Sequence, residues 1–180
     1  MSDSALAIHI ARGYLNLGMT SMARQTLEEF PIHPKSPPEA FLFLLSLYQD
    51  GSCWEKVQDL AERLIRSQPK EPAWWIYKAM ATRYLDSVGS SEEILKEAEN
   101  HFPLNGRIQL QLACCASCLN RLEEACQRLA RAVLLDARLS EEAKAEPDLE
   151  PVWQQFFFAE FEPGWGRPEG GYRLGIRVPS

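Results

Sequence analysis

The sequence predicts an all-α protein, a solenoid of four stacked helical hairpins closed by a further helix. Apolar residues recur three and four positions apart over most of the chain, which is the spacing of one helix face. The hairpins also recur, because Tyr14 and Tyr48 are 34 residues apart and Ala23 and Val57 are separated by the same interval. A hairpin with one apolar face needs a neighbour to cover that face, so a repeated hairpin predicts a stack.

The clearest copy of the hairpin lies between Pro38 and Pro69. Its apolar positions are Phe41, Leu44, Leu45 and Tyr48 in the first helix and Trp54, Val57, Ala61 and Leu64 in the second. Residues 50–52, Asp-Gly-Ser, supply the turn, because glycine tolerates positive φ and the Asp and Ser side chains bond to nearby amides. Proline cannot continue the second helix, so Pro69 ends the unit. We expect the Tyr48 ring to be buried here.

Copies of this hairpin follow at about 34 residues, which is the period of the tetratricopeptide repeat (TPR), and the chain resembles that family from about Ser4 to Asp136. The matching elements are a large residue in the first helix (Phe41, Trp75), a Leu-Leu or Ile-Ala pair, the tyrosine, and a small residue that starts the second helix. The resemblance implies a right-handed superhelical solenoid of TPR-like repeats with a C-terminal capping helix. The repeats of this domain, 4–136, are predicted at about 4–37, 38–71, 72–105 and 106–138.

The first helix has its own predicted buried face, and the third hairpin is the least regular repeat. The first helix is predicted to bury Leu6, Ile10, Tyr14 and Leu17. In the third hairpin, the neighbours Trp74 and Trp75 diverge by about 100° around a helix. We therefore expect one of them to pack against the previous hairpin and the other to lie nearer solvent or a partner. Ser90 opens a capping-box pattern, which predicts that the second helix of this hairpin spans residues 91–101.

The repeat pattern ends near residue 138. Residues 139–161 are predicted to form capping helices, because the last hairpin of a tandem array would otherwise expose its apolar face. A short polar helix is expected at 140–145 and an aromatic one at 152–159. Residues 162–180 contain five glycines and three prolines among alternating apolar residues. This tail is predicted to be either disordered or a strand-like arm.

Composition disfavours several classes of function. The formal net charge of −6 argues against nucleic acid as a main partner. No apolar run approaches the roughly 20 residues that span a bilayer, and the first residues do not have the pattern of a secretory signal. We therefore expect a cytoplasmic protein without membrane insertion.

The sequence contains no pattern typical of a catalytic site. Its three histidines are far apart, and no Ser or Cys lies in a nucleophile-elbow context. Cys114 and Cys118 could share a helix face and bind a metal. Free cysteines also serve as small apolar residues between closely packed helices, which is the interpretation we favour. We expect no catalytic residues, no metal site and no cofactor.

The family resemblance implies a concave binding groove lined by the first helix of each hairpin. The predicted groove residues are Arg12, Asn16, Gln49, Met80, Arg83, Tyr84, Arg107 and Leu110. They combine apolar side chains with three arginines, so the expected ligand is a protein or peptide segment with acidic residues beside apolar anchors. Ile8 and Phe43 stand where chaperone-binding members of the family carry Lys and Asn, which disfavours a chaperone cofactor.

These features predict a non-enzymatic adaptor or scaffold that binds a protein partner. Within that class, a secretion-type chaperone and a kinesin-light-chain-like cytoskeletal adaptor are alternatives. A different class is a structural subunit that forms a homo-oligomer through its aromatic C-terminal end. The residues of this possible second interface are Trp153, Phe156, Phe157 and Phe158.

Overall fold

The computed structural model describes residues 3–29 and 38–156, and within these ranges the structure is helical with no strand. The α-helices are α1 Asp3–Asn16, α2 Thr20–Glu29, α3 Pro38–Asp50, α4 Trp54–Ser67, α5 Pro72–Leu85, α6 Val88–His101, α7 Gly106–Cys118, α8 Leu122–Leu135, α9 Leu139–Ala145 and α10 Glu150–Phe156. A 3₁₀ turn, Pro147–Leu149, lies between α9 and α10. The predicted fold class is confirmed, because α1 to α8 form four stacked helical hairpins.

The hairpins stack because the same positions of the repeat are buried in each of them. One buried position of the first helix is occupied by Ala11, Leu45, Ala79 and Ala113, and one of the second helix by Ala23, Val57, Ser91 and Ala125. The members of each set are 34 residues apart along the chain. Most are small, so neighbouring helices can approach closely and exclude water, which stabilises the stack by roughly 25 cal/mol per Å² of apolar surface buried.

The first helix buries a different face from the predicted one. Leu6 and Ile10 are 49% and 40% exposed, and Leu17 is exposed as well, whereas Ala7 and Ala11 are buried. Leu6 holds the repeat position of Ala40, which α3 places in the core that it shares with α2. Within the described residues no hairpin precedes α1, so the equivalent face of α1 is uncovered. The prediction for this helix was therefore wrong.

Both tryptophans of α5 are buried, so the expectation that one would lie near solvent was wrong. Trp74 belongs to the core of the first two hairpins and meets the Phe41 ring edge-on, with the ring centroids 6.3 Å apart. Trp75 points into the core that α5 shares with α6 and α7, where its ring lies 5.3 Å from that of His101. The two side chains do point in different directions, but a helix in the middle of a stack has a neighbouring helix on each side, so both side chains are covered.

Helix α6 begins three residues earlier than predicted. Its N-cap is Ser87, whose hydroxyl accepts a hydrogen bond from the backbone N–H of Ser90 at 3.1 Å. Ser87 has an extended backbone, which lets its side chain reach the amides of the first turn. The predicted cap, Ser90, is itself the third residue of the helix, so the link between α5 and α6 is shorter than expected.

A buried polar network links α6, α7 and α8. The Gln109 side chain is fully buried and donates from Nε2 to Glu99 Oε1 at 2.8 Å. Arg128 donates from its guanidinium to the same carboxylate oxygen at 2.7 Å and to Gln109 Oε1 at 3.0 Å. Each buried polar group of the network therefore has a partner, and the three groups fix the register between the last two hairpins.

The segment after the fourth hairpin closes the C-terminal end of the stack. Helix α9 packs against α7 and α8, the 3₁₀ turn packs against α7, and α10 packs against α8. Its buried apolar residues are Leu139, Ala143, Leu149 and Val152. The predicted polar helix at 140–145 corresponds to α9, and the described part of the predicted aromatic helix corresponds to α10. The remainder of the predicted cap, 157–161, and the tail 162–180 lie outside the described residues.

We expect Gly106→Ala to lower the free energy of unfolding by about 1–3 kcal/mol, the usual range for overpacking. A Cβ atom at this position would lie 3.0 Å from the Ala132 carbonyl oxygen and 3.0 Å from Leu139 Cδ1, so α7 would have to move away from α8. Urea unfolding followed by circular dichroism measures this. Gly13→Ala is the matched control, because its Cβ meets nothing within 4 Å and alanine favours helix. Equal effects of the two substitutions would contradict the close contact of α7 with α8.

We expect Tyr48→Ala to cost about 3–5 kcal/mol, because the ring is buried between the first two hairpins. The Lys56 ammonium lies 5.4 Å from the ring centroid, and burial together with the Glu28 carboxylate raises the pKa of Tyr48 to about 12. Tyr48→Phe keeps the ring and removes the hydroxyl near the Glu28 carboxylate, so it should cost no more than about 1 kcal/mol. A loss below about 1 kcal/mol for Tyr48→Ala in the same unfolding experiment would show that the ring contributes little to the core.

Candidate functional site

The predicted groove residues of α1, α3 and α5 share repeat positions with residues of α7. We call the surface formed by four of these positions the groove. Its members, in repeat order, are Ile8, Leu42, Ile76 and Leu110; Arg12, Ser46, Met80 and Cys114; Leu15, Gln49, Arg83 and Ser117; and Asn16, Asp50, Tyr84 and Cys118. Because these sets are spaced by the repeat, equivalent side chains can be compared directly from hairpin to hairpin.

The groove is open on α1 and α3. Arg12 and Asn16 are exposed, while Ile8, Leu42 and Gln49 are half-buried. The guanidinium carbon of Arg12 lies 5.6 Å from the centroid of the Phe43 ring, so this cation rests on an aromatic side chain of the next hairpin. Among the described residues Arg12 makes no ion pair. This part of the groove therefore presents one cation above an apolar floor.

The groove is closed at three of its four positions on α7, and the fourth, Cys118, is exposed. Leu110, Cys114 and Ser117 are only 0%, 2% and 5% exposed. The cover is the C-terminal segment, because the 3₁₀ turn and α9 both pack against α7. Leu110 was predicted to line an accessible groove and is instead a core residue, so that assignment was wrong. Nothing in the repeat pattern of α7 indicates this, since the covering residues come from outside the repeats.

Arg83 is occupied by the C-terminal segment. Its guanidinium forms a two-pronged ion pair with Asp148 of the 3₁₀ turn, in which NH1 donates to Oδ2 and NH2 donates to Oδ1 at 2.9 Å. These hydrogen bonds lower the pKa of Asp148 below its usual value and raise the pKa of Arg83. The same guanidinium lies 3.4 Å from the Cys118 sulfur. Arg83 thus joins α5 to the C-terminal segment.

Two other predicted groove residues also have partners within the chain. Arg107 donates to Glu142 of α9 at 2.7 Å. The Tyr84 ring stacks on Trp54 of α4 with ring centroids 4.0 Å apart and planes 6° from parallel. Two of the three predicted groove arginines are therefore paired with carboxylates that follow the fourth hairpin.

Cys114 lies beside two carboxylates that the sequence did not single out. Its sulfur and one oxygen each from Glu146 and Asp148 lie within 4.8 Å of one another. Burial raises the pKa of the Cys114 thiol, which favours the neutral form. The positive charge next to this group is the guanidinium of Arg83, which already holds Asp148. The Arg83 guanidinium therefore already supplies the positive charge that a metal ion would bring to these carboxylates.

Glu146 is the poorly matched member of this cluster. Its side chain makes no hydrogen bond or ion pair with any described residue. Burial and the neighbouring Asp148 carboxylate raise its pKa above the ordinary value. The short sequence Glu146-Pro147-Asp148, between α9 and α10, was the available signal for this contact, but it has no fixed spacing relative to the repeats.

A second concave feature is a cleft of about 430 Å³ at one edge of the stack, between the starts of α5 and α7 and the end of α8. Its charged side chains are already engaged. Glu71 caps α5 by accepting a hydrogen bond from the Ala73 amide, and Arg138 pairs with Asp136 at 2.9 Å. These charged side chains therefore stabilise the fold, and we do not assign the cleft a binding role.

The predicted aromatic interface is described only in part. Trp153 is half-buried, and its Nε1 donates to the Ala143 carbonyl oxygen at 3.3 Å, so it ties α10 to α9. Phe156 is the last residue of α10, while Phe157 and Phe158 lie outside the described residues. No helix within the described residues has the length and apolar character needed to cross a bilayer.

Solved structures of repeat proteins share this fold. The thermophilic TPR protein TTC0263 of Thermus thermophilus matches with a TM-score of 0.60 at 17% identity, over 85% of this chain and 91% of that one. MamA from Desulfovibrio magneticus RS-1, residues 41 to the end, matches with a TM-score of 0.59 at 15% identity, over 86% and 95%. A further MamA crystal structure has a TM-score of 0.60 at 14% identity, over 77% and 81%.

No protein-family model and no curated protein matches the sequence. At the identities of the solved structures, the likeness shows the fold. The chain therefore has a TPR-like helical-repeat fold.

We expect Glu146→Gln to raise stability at neutral pH. A raised folded-state pKa means that this group's contribution to stability is fully present below its ordinary pKa of 4.5 and is lost as the pH rises through the folded-state pKa. Glutamine cannot ionise, so the variant should unfold at a higher urea concentration than the wild type at pH 7. The difference should vanish below about pH 4.

Glu150→Gln is the matched control, because Glu150 is exposed at the start of α10. It should show no comparable gain at pH 7. A Glu146→Gln protein that is less stable than the wild type at pH 7 would mean that the Glu146 carboxylate makes a favourable contact in the folded state.

Proposed function

We propose that the protein is a non-enzymatic, cytoplasmic adaptor that binds a segment of a protein partner in the open part of the groove, on α1, α3 and the adjoining face of α5. The observation that carries this proposal is the contrast along the groove. Three of the four groove positions, which are exposed or half-buried on α1 and α3, are buried on α7 by the chain itself, while the fourth, Cys118, is exposed. The chain covers one end of the groove with its own residues and leaves the other end open. The open end therefore has room for a ligand.

The chemistry of the open part favours a particular kind of ligand. Ile8, Leu42 and Met80 offer apolar contact, and Arg12 supplies a positive charge that forms no ion pair with any described residue. A segment with apolar anchors and an acidic residue near Arg12 would match both properties. The charge would contribute more to association rate and selectivity than to affinity. The ligand then needs an acidic residue for Arg12 alone, because Arg83 and Arg107 are paired within the chain.

A self-associating structural subunit is the second candidate. It is favoured by the uncovered face of α1, where Leu6 and Ile10 hold positions whose equivalents in the next hairpin are buried. Light scattering over a wide concentration range distinguishes the two roles. A monomer at all concentrations supports the adaptor, and a concentration-dependent oligomer that Leu6→Ser and Ile10→Ser abolish supports the subunit.

We expect the combined substitution Arg12→Ala and Gln49→Ala to weaken partner binding by about ten-fold or more, which corresponds to ~1.4 kcal/mol. Both side chains belong to the open groove and neither is buried, so the fold should be retained. Partners are captured from the native cytoplasm with the wild type, and the affinity of each is then measured by calorimetry for both proteins.

The matched control is Arg63→Ala with Gln127→Ala, which changes the same two residue types on exposed faces of the outer helices α4 and α8. It should bind like the wild type. Equal binding by the groove variant and the wild type, with both folded, would refute the groove as the binding surface.

A further inference from the structure

We propose that the part of the groove formed by α5 and α7 is a binding site for an acidic segment of a partner protein, and that the chain's own residues 146–149 occupy this site in the unbound state. We call these residues the internal ligand. The inference rests on the function proposed above, since it assigns a second binding site within the same groove and names the class of segment that it takes.

The geometry shows how the site holds a carboxylate. Arg83 grips Asp148 with two hydrogen bonds to its two oxygens, the arrangement that gives arginine its selectivity for planar carboxylates. The pair joins residues 65 positions apart in the chain. Next to Asp148, Leu149 is fully buried in the core that it shares with Leu110 and Cys114 of α7. The site therefore recognises an aspartate followed by an apolar residue.

The internal ligand fits this site incompletely. The Glu146 carboxylate lies close to Asp148 and the Cys114 thiol and has no hydrogen-bond or ion-pair partner among the described residues. On α7, one turn after Cys114, the hydroxyl of Ser117 is buried and also has no hydrogen-bond partner in the part of the chain that the structure describes. A half-buried carboxylate without a partner is costly, so Glu146 weakens the internal contact, and Ser117 is an unused donor on the same helix as Cys114.

A partner segment can avoid this cost. It would present an aspartate to Arg83 and an apolar residue after it, as the internal ligand does. A neutral polar residue two positions before the aspartate would remove the repulsion that Glu146 creates. The predicted partner motif is thus a polar residue, any residue, aspartate and an apolar residue, in that order.

The position of the internal ligand allows exchange. Arg83 and Asp148 keep 28% and 23% of their side-chain surface exposed, so an incoming carboxylate can reach the pair from solvent. The flanking helices have buried anchors of their own, Leu139 and Ala143 in α9 and Val152 in α10. The 3₁₀ turn between them can therefore leave the site without requiring either helix to leave the core.

The test measures binding of a labelled peptide with the sequence of residues 144–151 to the full chain by fluorescence anisotropy. In the wild type the internal ligand competes with the peptide. Asp148→Asn removes the charge that Arg83 grips at nearly constant volume, so we expect this protein to bind the peptide about ten-fold more tightly or better, because a larger fraction of its sites is open. Adding Arg83→Ala to Asp148→Asn should abolish that gain.

Two further measurements test the specificity. A peptide carrying Glu146→Gln should bind Asp148→Asn protein more tightly than the parent peptide. The chain carrying Glu146→Gln should bind the parent peptide more weakly than the wild type, because its internal ligand fits better. This second variant keeps every contact of the folded protein, so it tests the inference even if Asp148→Asn proves unstable. Glu150→Gln is the matched control and should behave like the wild type.

Equal peptide binding by the wild type and a folded Asp148→Asn protein would overturn the inference, and so would a gain that persists when Arg83 is replaced. Peptide uptake that occurs only as a wild-type dimer dissociates would assign the site to a second copy of the chain and overturn the partner assignment. The two proposals fail separately, because the open groove is tested with Arg12 and Gln49 replaced and the covered part with Asp148 replaced.

Discussion

The structure depends on one constraint, that each hairpin has an apolar face which only a neighbouring hairpin can cover. The constraint appears as burial that recurs at the interval of the repeat, from Ala11 through Leu45 and Ala79 to Ala113. Small residues at such positions let helices approach closely, and water is excluded along the length of the stack. Ion pairs also join the second helices of consecutive hairpins. Lys56 pairs with Glu28, 28 residues away, and Arg128 pairs with Glu99, 29 residues away.

The same constraint makes the two ends of the stack different. Within the described residues, nothing covers the outer face of α1, so Leu6 and Ile10 stay exposed. At the other end, the chain supplies its own cover, which buries Leu149 and Val152 against the last hairpin. Part of that cover lies on α7, one of the helices that form the groove. The termination of the stack therefore decides how much of the groove is accessible.

Charge follows this geometry. Arg83 of the groove pairs with Asp148, and Arg107, at the start of α7, pairs with Glu142, so the acidic C-terminal segment neutralises the cations at this end of the stack. Arg12, at the far end, rests on the Phe43 ring instead. A ligand that approaches the open part meets a single cation, whereas one that approaches the covered part must replace a carboxylate. A ligand can thus bind directly to the open part of the groove, whereas at the covered part it must displace residues 146–149 of the chain.

The sequence by itself determined the repeat, the helical hairpins and the positions of the first helices, because apolar spacing and the 34-residue interval are local or periodic properties of the chain. It predicts Arg12, Gln49 and Met80 as groove residues, and in the structure Arg12 is exposed while Gln49 and Met80 are half-buried. Only the tertiary structure decided that Leu110 is buried and that Arg83 is paired. Both outcomes depend on a segment outside the repeats, and no periodicity indicates where a non-repeated segment folds back. The burial of both Trp74 and Trp75 has the same origin, since the neighbours of a helix on its two sides are set by stacking and not by its own sequence.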